Sequence, residues 1–148
     1  MPLSRDDFRS LVRLGPLVAI DLVVERDNRF LLGLRTNRPA MGFLFVPGGR
    51  VYKDERLDDA FRRIAMAELG VQMERSEAEF LGVYEHLYSD SMFDPEASTH
   101  YVVLAHRVKL VGDESPAFFT QHSEAHWMSR EEILADKRTH ANTRAYFV

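Results

Sequence analysis

The stretch from Val46 to Val71 constrains the fold of this chain more than any other. Val46-Pro47-Gly48-Gly49-Arg50 ends a short apolar run in a turn whose paired glycines let backbone groups come close to a ligand. A helix over about Leu57 to Leu69 follows. At roughly 100° per residue, Leu57, Phe61, Ile64 and Glu68 fall in one narrow stripe, so a carboxylate shares the face that the apolar residues bury. It also stands in the last turn, where the helix dipole disfavours negative charge. A snorkelling or salt-bridged glutamate is the ordinary explanation of such a residue, and a Pro-Gly-Gly turn alone is equally ordinary. Spacing over the wider segment gives both a function.

Around this segment the pattern is that of one compact domain, since 148 residues bury a real core but do not divide into two. Leu17 to Glu25 and Arg29 to Arg35 are dense in aliphatic residues, and Arg26-Asp27-Asn28 between them reads as a hairpin turn. Further strands are expected at Phe43 to Val46, Phe80 to Tyr88, His100 to Val111 and Glu124 to Met128. Ser4 ahead of Asp7, Phe8, Leu11 and Val12 predicts an N-terminal helix closed by Gly15 and Pro16, with Ser129 and Glu132 in capping-box spacing opening another. A third helix is expected near the C-terminus. The class is α/β (α+β), a mixed sheet flanked by helices.

Composition excludes several chemistries. No cysteine is present, so disulfides, thiolate nucleophiles and cysteine-bound zinc are out, and a metal must be held by oxygen or imidazole. Six histidines are present, but with no thiolate to complete a zinc set, zinc is the poorer choice. A net charge of -4 offers no general attraction to nucleic acid, so a phosphate ligand requires a local arginine cluster. No apolar run is long enough to span a bilayer, and Met1 to Leu14 lacks the uninterrupted apolar segment of a secretory signal. A cytoplasmic protein that binds neither membrane nor nucleic acid is expected.

From Gly49 the chain runs five residues to Glu55, seven more to Arg63, then Ile64-Ala65-Met66-Ala67-Glu68-Leu69-Gly70-Val71. This resembles the Nudix box, G-x5-E-x7-R-E-U-x-E-E-x-G-U, in which U is aliphatic. Ile64 and Ala67 depart from it, because each stands where the box has a glutamate. The departures resemble one branch of the family, the GDP-mannose mannosyl hydrolases. Leu32 to Ala40, Phe45 to Val51, Thr99 to Leu104, Gln121-His122 and His140-Ala141-Asn142 are similar to that branch as well.

The resemblance implies a Nudix fold, with a mixed sheet sandwiched between helices, and an unusual reaction. Water would attack the anomeric carbon of GDP-mannose or of GDP-glucose, and GDP would leave with inversion. It implies one Mg²⁺ per subunit, replaceable by Mn²⁺, on the Gly48 carbonyl, Glu68 and the Gln121 side chain. Arg35 and Arg50 would sit on the phosphates, where a guanidinium fork can follow charge onto the leaving oxygen, with Tyr101 adding a hydrogen bond. Asp21, on a strand face with Leu17, Ala19 and Val23, would bond sugar hydroxyls, although a carboxylate there is ordinarily exposed or paired. His122 would take the proton from water; a loop histidine is ordinarily just solvated, and only the resemblance gives it this role. A homodimer with the N-terminal helix as one contact is also implied.

Other residues carry blander expectations. His100 and His106 share a strand face with Val102, Leu104 and Val108 and read as satisfied core or edge histidines, and His86 is left as a supporting residue. Arg5, Arg9 and Arg13 read as a solvated helix face. Phe118 and Phe119 read as loop anchors, with base stacking the alternative. Two other functions stay open: a Nudix pyrophosphohydrolase that cleaves P–O bonds, and a nucleotide-sugar sensor that kept the fold without catalysis.

Overall fold

The computed structural model describes residues 2–112, 116–118 and 124–148. Helix α1 spans Arg5–Leu14, and Ser4 accepts a bond from the Asp7 amide as its N-cap. Strands β1 (Leu17–Arg26) and β2 (Arg29–Leu34) form the expected hairpin, with Asp27 and Asn28 both at positive φ in the turn. Strands β3 (Leu44–Phe45) and β4 (Gly48–Arg50) lead to helix α2 (Leu57–Leu69), which ends at Gly70 in the left-handed conformation. After a 3-10 turn at Arg75–Glu77 come β5 (Glu79–Tyr88), β6 (Thr99–Lys109) and β7 (Ala125–Ser129). Helix α3 (Arg130–Ala135) opens with the Ser129–Glu132 capping box, and α4 (Ala141–Arg144) is capped by the His140 side chain.

The sheet is mixed. β1 pairs in parallel with β6 from Leu17 opposite Tyr101 to Glu25 opposite Lys109, while its pairings with β2 and β4 are antiparallel. β5 lies outside β6, and β3 and β7 both pair with β2. The Gly48–Arg50 segment, read from sequence as a turn, is therefore a strand. The bonds that continue it, Leu22 N–H to the Pro47 carbonyl and Val51 N–H to the Val18 carbonyl, are each 2.8 Å.

Alternation along β1 divides the core in two. Ile20, Leu22 and Val24 turn to one face and pack with Phe61, Ile64 and Leu69 of α2. Val23 turns to the other, with Leu32, Leu44, Ile133 of α3 and Phe147 beyond α4. The sheet is thus sandwiched between α2 and the C-terminal helices, as expected. Phe118 is an anchor: it is fully buried in the first core, its ring edge-on to Phe45 and against Gly33. His106 is buried between Phe61 and Phe80, a core histidine as its strand position suggested. Phe119 lies outside the described residues.

Ile64 is 2% exposed, and its side chain fills the space beside Gly49, coming within 3.0 Å of where a Cβ would stand there. It has become a packing residue. Ile64→Val should cost about 0.5–1.5 kcal/mol in urea denaturation, the usual loss for one buried methylene. Ile64→Glu, which restores the box, should cost several times more because it buries a charge in an apolar contact.

Candidate active site

Three strands present one face to a cleft of about 210 Å³ on the side of the sheet away from α2. β1 supplies Ala19 and Asp21, β6 Tyr101 and Val103, and β5 His86 and Tyr88, all at alternate positions. β4 adds Gly48 and Arg50, and Arg35 enters from the end of β2. The structure therefore brings together Asp21, Arg35, Gly48, Arg50 and Tyr101, five residues singled out in the sequence.

Each arginine is held in place. Arg35 donates its Nε–H to the Pro39 carbonyl at 2.7 Å and lies over the Phe45 ring. Arg50 stands between the rings of Phe8 on α1 and Tyr52, 5.2 and 4.9 Å from their centroids. Such stacking leaves the guanidinium edges for ligand oxygens while reducing the side-chain entropy lost on binding. α1 thus reaches the site through Phe8.

The loop between β4 and α2 is fixed by Arg63, which makes bonds of 2.8 and 2.9 Å to the two oxygens of Glu55 and one of 2.8 Å to the Arg50 carbonyl. Arg63 holds the Glu55 carboxyl below its usual range. Glu55 also accepts from the Tyr52 amide, so both side chains serve to shape the loop.

Glu68 lies on α2, behind the Gly-Gly turn, and does not line the cleft. Burial pushes its carboxyl up to about 7. A bound cation offsets this kind of cost, since it favours the charged form that burial disfavours. Among the described residues no group of three or more His, Cys, Asp or Glu side chains could hold a metal unaided. Glu68 offers a divalent ion a single carboxylate, with the remaining oxygens to come from backbone, ligand or water. That hard donor set fits Mg²⁺. Gln121 and His122 lie outside the described residues.

The residue that sequence reasoning missed is Tyr146. Its hydroxyl donates to Asp21 Oδ2 at 2.7 Å and stands 3.2 Å from Nε2 of His86. His86, proposed only as a supporting residue, is 7% exposed and lines the cleft. Desolvation is the main influence on both partners: it raises the Asp21 carboxyl to about 6, against the Tyr146 bond and Arg35, and lowers the His86 imidazole to about 4. Burial likewise raises the Tyr101 phenol.

The family model for the NUDIX domain matches residues 15–148. The chain belongs to the Nudix family, and its activity is that of a Nudix hydrolase. It is 42% identical over 119 residues to the "Low-salt glycan biosynthesis protein Agl8" of Haloferax volcanii, across 80% of this chain and 74% of that one. It is 31% identical over 114 residues to an ADP-ribose pyrophosphatase of Methanocaldococcus jannaschii, across 77% of this chain but only 63% of that protein's length. Its fold matches the crystal structure of a MutT NUDIX hydrolase from Burkholderia pseudomallei with a TM-score of 0.70 at 25% identity, covering 90% of this chain and 96% of that one.

Asp21 and His86 impose opposite pH dependences on stability. The raised Asp21 pKa gives a contribution that is full below the unfolded value of 3.8 and lost as pH rises through about 6. The lowered His86 pKa gives one that is full above 6.5 and lost as pH falls through about 4. Between about 4 and 6 they oppose each other. Denaturant titrations across this window should therefore show the Asp21→Asn variant gaining stability relative to the parent as pH rises, and His86→Gln losing it. Parallel profiles for parent and variants would mean that neither group is desolvated as described.

Proposed function

We propose that this protein hydrolyses a nucleoside-diphosphate sugar, GDP-mannose or GDP-glucose, to GDP and the free sugar, with water attacking the anomeric carbon and inverting it. One observation carries this reading: a single cleft holds two guanidinium forks, Arg35 and Arg50, together with a hydrogen-bonded carboxylate and imidazole suited to hydroxyl groups. The family box supports it, since Ile64 and Ala67 occupy two of its glutamate positions and Ile64 is given over to the core. So does the relative whose name places it in glycan biosynthesis.

In this reaction Arg35 and Arg50 bind the diphosphate and take up the charge that develops as the C–O bond breaks, and Tyr101 donates to the same oxygens. Asp21 accepts from the sugar hydroxyls and orients the ring. Glu68, Gln121 and the Gly48 carbonyl would hold Mg²⁺, which neutralises the departing diphosphate when bound. His122 removes the proton from the attacking water, a task for which an ordinary imidazole pKa near neutrality is suited. The protein acts as a homodimer in the cytoplasm.

The second reading, cleavage at phosphorus, is favoured by the ADP-ribose pyrophosphatase relative. Hydrolysis of GDP-mannose in ¹⁸O-water separates the two. The label should appear on the sugar C1 hydroxyl, and label on a phosphate would move the protein to the pyrophosphohydrolases. In the same assay His122→Gln should slow turnover by about 10²–10⁴ and flatten the rise of rate with pH.

The metal has its own test. Because the carboxylate must be deprotonated to bind, Mg²⁺ affinity measured by calorimetry should rise with pH up to about 7, level off above it, and be accompanied by proton release. A Glu68→Gln variant that bound Mg²⁺ like the parent at every pH would remove Glu68 from the site.

A further inference from the structure

We propose that Tyr146 is a positioning residue for the sugar end of the cleft, its hydroxyl locking Asp21 and His86 into one directed pair that reads neighbouring sugar hydroxyls. The proposal rests on the nucleotide-sugar reading above. Tyr146 does not line the cleft, but both partners of its hydroxyl, Asp21 and His86, do. A phenol has a single O–H to donate. The short bond to the Asp21 carboxylate takes that proton, so the contact with His86 must run the other way, with Nε2–H donating to the phenol oxygen. This fixes the imidazole as the Nε2–H tautomer and leaves Nδ1 as an acceptor. One hydroxyl thus sets both the rotamer of a carboxylate and the tautomer of an imidazole.

Its own position is fixed from behind. Tyr146 packs edge-on to Tyr84 with ring centroids 4.8 Å apart. Phe147, 4% exposed, sits edge-on to Phe30, and Thr143 donates to the Leu44 carbonyl at 3.0 Å. The last turn of the chain is therefore anchored in the core on either side of the phenol. A specificity site gains most from polar groups held this rigidly, because a ligand lacking the matching hydroxyls leaves them unsatisfied.

Tyr146→Phe keeps the ring and removes only the hydroxyl. The variant should bind GDP within about twofold of the parent, while kcat/KM for GDP-mannose falls by about 10- to 100-fold. In an Asp21→Asn background the same change should cost no more than about twofold, because the two act as a unit. Nitrogen-15 shifts of His86 should show the Nε2–H form in the parent and a mixture of tautomers in Tyr146→Phe. Equal losses of GDP and GDP-mannose binding together with a lower Tm would make Tyr146 a structural residue and overturn the proposal, as would parent-like turnover. If the parent itself turns over no nucleotide sugar, the functional reading fails separately. The His86 tautomer still decides the positioning, and a His86 that keeps its Nε2–H form in Tyr146→Phe overturns it.

Discussion

The site depends on how closely β4 runs beside β1. A Cβ built on Gly48 would stand 2.5 Å from Asp21 Oδ1 and 2.6 Å from the Ile20 carbonyl, a clash with backbone that no rotamer relieves. A hydrogen atom is all that fits. Because Gly48 is bare, Asp21 can occupy the floor of the cleft while the neighbouring Arg50 lies opposite Ala19 on the same face. One residue further along, Gly49 faces the opposite side and meets Ile64 of α2. The two glycines therefore serve the two faces of the strand, one making room for a carboxylate and the other for a helix.

The parity of β1 then assigns chemistry to faces. Its even-numbered apolar residues pack on α2, which carries Glu68, and Ala19 and Asp21 look into the cleft. A slip of one residue in its parallel pairing with β6 would exchange Tyr101 and Val103 for Val102 and Leu104 on the cleft wall. Nine consecutive pairs, from Leu17 with Tyr101 to Glu25 with Lys109, hold that register. Polar groups are paired as they are buried: Asp21 with Tyr146, Arg63 with Glu55 and the Arg50 carbonyl. The stability gained in the apolar cores thus supports a pocket whose polar lining is costly to desolvate.

Most of the fold was legible because its signals are local. The helix stripe ending at Glu68, the Ser129–Glu132 capping box and the Asp27-Asn28 turn each declare themselves within a few residues, and each is present. β4 was hidden because two of its three residues are glycines, which carry no strand propensity; its pairing with β1 fixes its conformation. The clustering of Asp21, Arg35, Arg50 and Tyr101 was legible only through resemblance to a family, since no periodicity links residues on four different strands or strand ends. Tyr146 was not legible at all. It lies 125 residues from Asp21, in a C-terminal turn whose pattern reads equally well as solvent-exposed or packed. Gln121 and His122, the other residues named by resemblance, fall outside the described residues, so their place in the site stands on sequence alone.

The replacement of glutamate by Ile64 follows the same division of faces. A carboxylate there would be forced between the Gly49 backbone and the apolar core, and only a tightly bound cation could offset its burial. Isoleucine instead seals α2 against β4 and leaves Glu68, one turn along the same face, as the acidic residue of that stripe. Reduced cation charge is a greater loss for attack at phosphorus, where the metal ions also activate the nucleophile, than for departure of a diphosphate from carbon, where neutralising one leaving group suffices. On the opposite face a carbon electrophile calls for something a phosphorus electrophile does not, namely groups that hold the sugar ring in a fixed orientation to the incoming water. In the proposed reaction Asp21 and His86, held from behind by Tyr146, would be those groups. On the proposed reaction, the charge absent from α2 and the hydrogen bonding supplied by the C-terminal turn would be two sides of one preference for which atom of the substrate is attacked.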